Sequence, residues 1–171
     1  VLGTHNHWRA FYAEQRPCLA DLLVENRQAE IDNLYPIHHA SQEVAFGTHA
    51  ENWCVMPLRG TELYLEIDAG PIHDAGGRVI AVIETLRDMT LRQSAESRLR
   101  TLFESSPDPV WIIEDGKFVE CNDAAVSMLG YRNKIELLNV HPSQLSPVVQ
   151  PDGQDSFSKA EQLMQLAFEH G

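Results

Sequence analysis

Apolar positions along this chain change their period several times, and each change predicts an element. Near the start, Trp8, Phe11 and Tyr12 fall at i, i+3 and i+4, the spacing of one face of a short helix. Pro17 ends that segment. Leu19, Leu22 and Leu23 repeat the spacing in a second helix, with helical character running on to Leu34 before Pro36. From Glu43 the pattern turns to strands, with Ala45, Trp53, Val55 and Met56 in loose extended segments. Leu63, Leu65 and Ile67 then alternate with Tyr64 and Glu66, the period of two that marks a strand. Gly70-Pro71 bends its end, and His73 to Gly77 reads as a turn. In the strand Arg78 to Leu86, Val79, Ala81 and Ile83 alternate with Ile80, Val82 and Glu84. Its β-branched content predicts a strand with both faces at least partly covered. Strand, Gly-rich turn and strand make a hairpin, so the sheet is expected to be antiparallel.

Thr90 fits a helix N-cap, with Gln93 at the position of a capping-box partner. Leu91, Ala95, Leu99 and Leu102 then form one narrow apolar stripe between charged faces, and Pro107 stops the helix. At ~1.5 Å per residue this helix is roughly 20 Å long. A second, tighter hairpin follows, with Val110, Ile112 and Ile113 before Asp115-Gly116 and Phe118-Val119 after it. Asn122 is an N-cap for a helix holding Ala125, Met128 and Leu129, and Gly130 suits its left-handed end. Ile135, Leu137 and Leu138 fit a short helix, and His141-Pro142 to Gly153 a loop. Ala160, Leu163, Met164, Ala167 and Phe168 line one face of a last helix. Ser158 with Glu161 gives it a capping-box pattern, Asp155 or Ser156 an earlier start, and Gly171 a cap at its end.

Composition narrows what such elements do. The net charge of −12, from 25 acidic against 13 basic residues, disfavours binding to nucleic-acid phosphates or an anionic membrane surface. Apolar runs such as Val79 to Ile83 are too short for direct membrane insertion. Cys18, Cys54 and Cys121 are odd in number and widely spaced, which argues for a reducing, cytoplasmic setting and against a disulfide framework. The chain begins at Val1 rather than Met, as a piece of a longer protein would. His5, His7, His38, His39 and His49 invite a metal reading, but no Cys or carboxylate lies at a familiar offset, so no metal site is expected. Ser, His and Asp are scattered without a nucleophile-elbow pattern, and no catalytic set emerges. Trp8, Phe11 and Tyr12 either pack in a core or wall a small-molecule pocket.

Several of these stretches resemble PAS domains. Pro71 to Thr90 is similar to the last hairpin of that fold, and Asp88-Met89-Thr90 matches the junction joining its final strand to an output helix. Leu102 to Tyr131 resembles the start of a next PAS domain, through Leu102-Phe103-Glu104, Asp115-Gly116, Asn122 with Ala124 and Ala125, and Gly130-Tyr131. Val1 to Leu23, with Gly3-Thr4, Trp8, Phe11-Tyr12 and Arg16-Pro17, is similar to the middle of a variant found in bacterial sensor proteins. The resemblance implies an α+β fold, a PAS-like antiparallel sheet flanked by helices. It implies two partial modules, residues 1–90 and 107–171, joined by a connector helix over 91–106. It further implies a pocket to which Trp8, Phe11, Tyr12, Trp111 and Met128 contribute. Signals would pass through Asp88, Thr90, Leu91, Ala95, Leu99 and Leu102 to an output domain such as a histidine kinase or diguanylate cyclase.

No output motif is present, so the chain itself is not expected to be an enzyme. The expected partners are a second copy of the chain, paired along the stripe, and an output domain of the same polypeptide. A packing of the stripe back on its own sheet is the alternative to that seam. No Asn-Cys-Arg-Phe-Leu run surrounds Cys121, which argues against flavin photochemistry. Heme and flavin stay open as cofactors, with none the first expectation. A ligand-free dimerisation scaffold is the alternative function.

Overall fold

The computed structural model describes residues 6–170. Gly3-Thr4, His5 and Gly171 lie outside them, as does the side chain of Phe168. The chain divides into two compact units, Val1–Glu96 and Ser97–Gly171.

The first unit opens with a 3₁₀ turn, His7–Ala10, rather than a full helix. Helix α1 (Leu19–Val24) follows. The helical character expected up to Leu34 is broken by a left-handed Asn26 and resumes as a 3₁₀ turn and the single-turn helix α2 (Ile31–Leu34). Strands β1 (Ile37–Ala40), β2 (Thr48–Cys54), β3 (Leu63–His73) and β4 (Val79–Asp88) then form an antiparallel meander in the order β1-β2-β3-β4. β1 has no apolar alternation of its own. Its residues are ordered by register, His39 opposite His49 and Ile37 opposite Glu51. Ala45 lies in the turn before β2 rather than in an extended segment. Val44 sits so close to the sheet there that a Cβ on Gly70 would lie 2.3 Å from its Cγ1.

β3 does not end at Gly70-Pro71. Pairing with β4 continues through both, and the register irregularity comes later, at Ile72/His73. Beyond Ala69, β3 has a named neighbour only on the β4 side, so the N–H that Pro71 lacks is not required by β2. β4 also departs from expectation. It is the last strand of the sheet, and Val79, Ile80, Ile83 and Leu86 are exposed instead of covered. Its β-branched residues register strand propensity, which says nothing about which face finds a partner.

One face of this sheet carries Ala50, Cys54, Leu65, Ile67 and Ala69 into a core with Tyr12, Leu19, Leu22, Ile31 and Tyr35. α1 packs on β3 and β4, and Leu19, Leu22 and Tyr35 are wholly buried. Each large apolar side chain removed from water there contributes about 1.5–3 kcal/mol.

Helix α3 (Thr90–Ser105) runs from the first unit into the second and ends before Pro107, as expected. The second unit holds the hairpin β5 (Trp111–Glu114) and β6 (Lys117–Cys121). Its turn residues Asp115 and Gly116 both have positive φ, 48° and 72°, the geometry that makes Asp-Gly a hairpin signal. Helices α4 (Asp123–Leu129), α5 (Lys134–Leu137) and α6 (Ser156–His170) complete it. A 3₁₀ turn at Pro142–Leu145 lies within the segment expected to be loop. Phe118, Cys121, Ala125, Val126 and Leu137 are its core. The segment after α5 lies on β6, where the Phe118 N–H donates to Val140 O at 3.1 Å and the Asn139 N–H to Phe118 O at 2.8 Å.

Asn122 and Gly130 cap α4 as expected, the first accepting from the Ala125 N–H and the second at φ 73°. At α6 the capping box of Ser158 with Glu161 does not form. Asp155 Oδ2 accepts from both the N–H and the hydroxyl of Ser158, and Glu161 meets His141 Nε2 at 3.0 Å. Leu163 is exposed and Met164 half-buried. No helix among the described residues is long and apolar enough to cross a membrane.

Candidate functional site

Three features of the first unit carry chemistry, and each is built by a different part of the fold. The first lies where the 3₁₀ turn meets α1. Tyr12 is buried, and Trp8 and Phe11 pack half-buried against the same core. The hydroxyls of Tyr12 and Tyr35 are 3.1 Å apart. The Arg16 guanidinium stacks over both rings, 4.2 Å from the Tyr12 centroid and 5.0 Å from that of Tyr35. It also donates to Leu34 O at 2.9 Å. Burial pushes the Tyr35 phenol up to about 12, and that of Tyr12 further up. Burial, then the nearby Glu84 carboxylate, push the Cys18 thiol up to about 12. All three groups therefore stay protonated at neutral pH.

Beside this cluster is a cavity of about 580 Å³ whose lining includes Trp8, Arg16, Pro17 and Asp21. Among the described residues, the buried donors Trp8 Nε1 and Arg16 Nε have no acceptor. A second cavity, of about 630 Å³, touches Trp8, Tyr12 and Leu58. Of the expected pocket residues, the fold thus brings Trp8, Phe11 and Tyr12 together. Trp111 and Met128 belong to the second unit, where Trp111 meets the Phe118 ring edge-on at 5.8 Å and Met128 is 58% exposed.

The second feature is the passage from β4 into α3. The Met89 N–H donates to Tyr64 O at 2.8 Å. The Tyr64 N–H donates to the Thr90 hydroxyl at 2.9 Å, which itself donates to Asp88 Oδ1 at 2.6 Å. The Thr90 N–H reaches the same carboxylate oxygen at 2.9 Å. These bonds from Thr90 hold the Asp88 carboxyl below the usual carboxylate range. Thr90 is therefore not the cap that its spacing from Gln93 suggests. Its hydroxyl is taken by the strand, and the Gln93 N–H bonds Met89 O. The stripe on α3 is open: Leu91 is 89%, Leu99 67% and Leu102 59% exposed, and Ala95 is exposed too.

The third feature is polar and was hidden from sequence reasoning. Register sets His49 opposite Asp68 and Glu51 opposite Glu66, on the sheet face away from the core. The spacing rule that argued against metal ligands considered offsets along the chain. Across the strands, His49, Glu66 and Asp68 each bring a ligand-type atom within 4.8 Å of the others, and His7, Cys18 and Asp21 do so where the 3₁₀ turn meets α1. The only sequence signal was parity: 49 with 51, and 66 with 68, share a face of their strands.

Two family models described as PAS domain match the chain, one over residues 7–91 and the other over residues 97–163. No curated protein sequence matches it. Together the two matched stretches take in most of the chain, and with the antiparallel sheet and flanking helices they establish that it belongs to the PAS domain family.

Proposed function

We propose that this chain is the sensory region of a bacterial signal-transduction protein, relaying ligand or partner state through α3 to a diguanylate cyclase or histidine kinase in the same polypeptide. PAS domains are regulatory modules, so the chain itself is read as non-catalytic. The observation that carries the relay is the clasp at Tyr64, Asp88 and Thr90. Two backbone groups of a central strand bond to the residues that start the helix, so a shift of β3 is felt at the first turn of α3.

The proposed partner is a second copy of the chain, paired along Leu91, Ala95, Leu99 and Leu102. The small Ala95 permits close approach but buries little area, which keeps the seam weak and adjustable. Favouring one of two helix settings by a few kcal/mol then shifts the population. The proposed input is a small molecule at the cavity whose lining includes Trp8 and Arg16. Buried, unpaired thiols at Cys18, Cys54 and Cys121 fit action in a reducing cytoplasm.

The relay is tested by amide hydrogen exchange on Thr90→Val. Exchange at Tyr64 and across the first turn of α3 is expected to rise together. A change confined to Thr90 would end the relay reading. The complete burial of Leu19, Leu22 and Tyr35 favours a second reading, a ligand-free dimerisation scaffold. An ultraviolet–visible spectrum of the purified chain separates a chromophore-bearing sensor from it, and a screen of small anions by thermal shift does so for colourless ligands.

A further inference from the structure

We propose that the outer face of the four-stranded sheet holds a divalent transition-metal ion of the zinc type, ligated by His49, Glu66 and Asp68. The inference goes beyond the relay reading and does not depend on it. It starts from burial. His49 and Asp68 are only 8% and 5% exposed, although both lie on the face turned away from the apolar core. A carboxylate withdrawn from water needs compensating charge. Asp68 has the Ser41 hydroxyl at 2.5 Å and His49 Nδ1 at 3.2 Å from both of its oxygens. That imidazole contact is long for a charge-assisted bond. Nε2 of the same ring stands 3.7 Å from Glu51 Oε1.

Two guanidinium groups stand nearby, and one of them already bonds a proposed ligand. Arg87 bonds Glu66 through Oε1 and lies 3.8 Å from Glu43, which leaves Glu66 Oε2 free of that bond. Arg92 pairs with Glu96 at 2.8 Å. The carboxylates of Glu51, Glu66, Asp68 and Glu96 thus outnumber the cations facing the same space.

Geometry and support fit an ion. In a tetrahedral zinc site, bonds near 2.0–2.1 Å set neighbouring ligand atoms roughly 3.3 Å apart. The three donors already lie within 4.8 Å of one another, a gap that small side-chain rotations close, and water would complete the shell of an ion held by three side chains. Donors are oriented by groups behind them: His39 stacks on His49 at 4.3 Å, and Ser41 holds Asp68. Metal sites depend on such supporting bonds. A polar cavity of about 290 Å³, lined by His49 and Glu66 and also by Arg92, gives a hydrated ion access. One imidazole among carboxylates suits zinc and its neighbours, whereas magnesium and calcium favour all-oxygen shells. Gln93 and Glu96 of α3 line the same cavity, so an ion there would sit against the start of the connector.

The test uses the whole metal-free chain titrated with zinc chloride by calorimetry, with bound zinc per chain measured after dialysis. One zinc per chain is expected. His49→Ala and Glu66→Gln should each weaken it at least 10-fold, and Cys18→Ser, which disrupts the other cluster of ligand-type residues, should leave it unchanged. If His49→Ala fails to fold, Glu66→Gln decides alone. Absence of zinc uptake overturns the proposal. So does uptake that survives Glu66→Gln or is abolished by Cys18→Ser, and so does magnesium binding as tight as zinc, which would deny the imidazole its role.

Discussion

In the first unit, order comes from apolar area: a four-stranded sheet lays Ala50, Cys54, Leu65, Ile67 and Ala69 against Leu19, Leu22 and Tyr35. In the second, a two-stranded hairpin offers much less, and a buried amide does much of the organising. Asn122, with no exposure, accepts from the N–H groups of Val110 and Ala125 and donates to the carbonyls of Phe103 and Asp108. One side chain thereby fixes the end of α3, the start of β5 and the cap of α4. A small hairpin is marginal alone. A fully satisfied polar knot supplies the specificity that a larger core would supply by packing.

The sharpest way to break this comparison is to damage each centre in turn. Leu22→Ala should cost about 3 kcal/mol, from lost burial plus the cavity left behind. Denaturant melts should show it, with exchange rising at β2 and β3. Asn122→Ala should cost about 2 kcal/mol, through a lost cap and stranded backbone groups. Its exchange signature should fall on Val110, Ala125 and the last turn of α3. Should Asn122→Ala melt like the wild type, the polar knot is not what organises the second unit. Gly116→Ala places a side chain at φ 72° and should cost about 1 kcal/mol, read in the same melts.

Leu99→Glu should leave melting almost unchanged, because its target is exposed. It should shift sedimentation toward monomer if the α3 stripe is a seam.

The smallest expected effect depends on pH. Hydrogen bonds from Ser158 hold the Asp155 carboxyl below the usual carboxylate range. A depressed pKa contributes stability that is present above the ordinary value of about 4 and is lost as pH falls through the depressed one. Acidification below about pH 4 should therefore loosen the first turn of α6, seen as faster exchange at Ser158, and Asp155→Asn should remove that pH dependence.

Thr90 and Asn122 show where local reading succeeds and where it fails. Each is a good N-cap by sequence. Asn122 caps, because the N–H three residues on is within reach and its remaining groups serve nearby backbone. Thr90 does not, because the Tyr64 N–H, from a strand 26 positions earlier, takes its hydroxyl. The same contrast holds for strands. Leu63 to Ile67 and the Asp115-Gly116 turn were legible, since alternation and turn chemistry are local. β1 was not, because its order comes from pairing with β2.

By itself, then, the sequence determined the two hairpins, the start of the helix at Leu19, the helix Asp123–Leu129, and the connector helix with its apolar stripe. All of these follow from periodicity and caps that span a few residues. Tertiary structure alone decided that Tyr12, Arg16 and Tyr35 stack together, that β4 is left open, and that His49 meets Glu66 and Asp68. The first depends on how loops and short helices pack over the sheet, and the last on strand register, which places residues some 20 positions apart within a few ångströms; neither leaves a mark on local spacing.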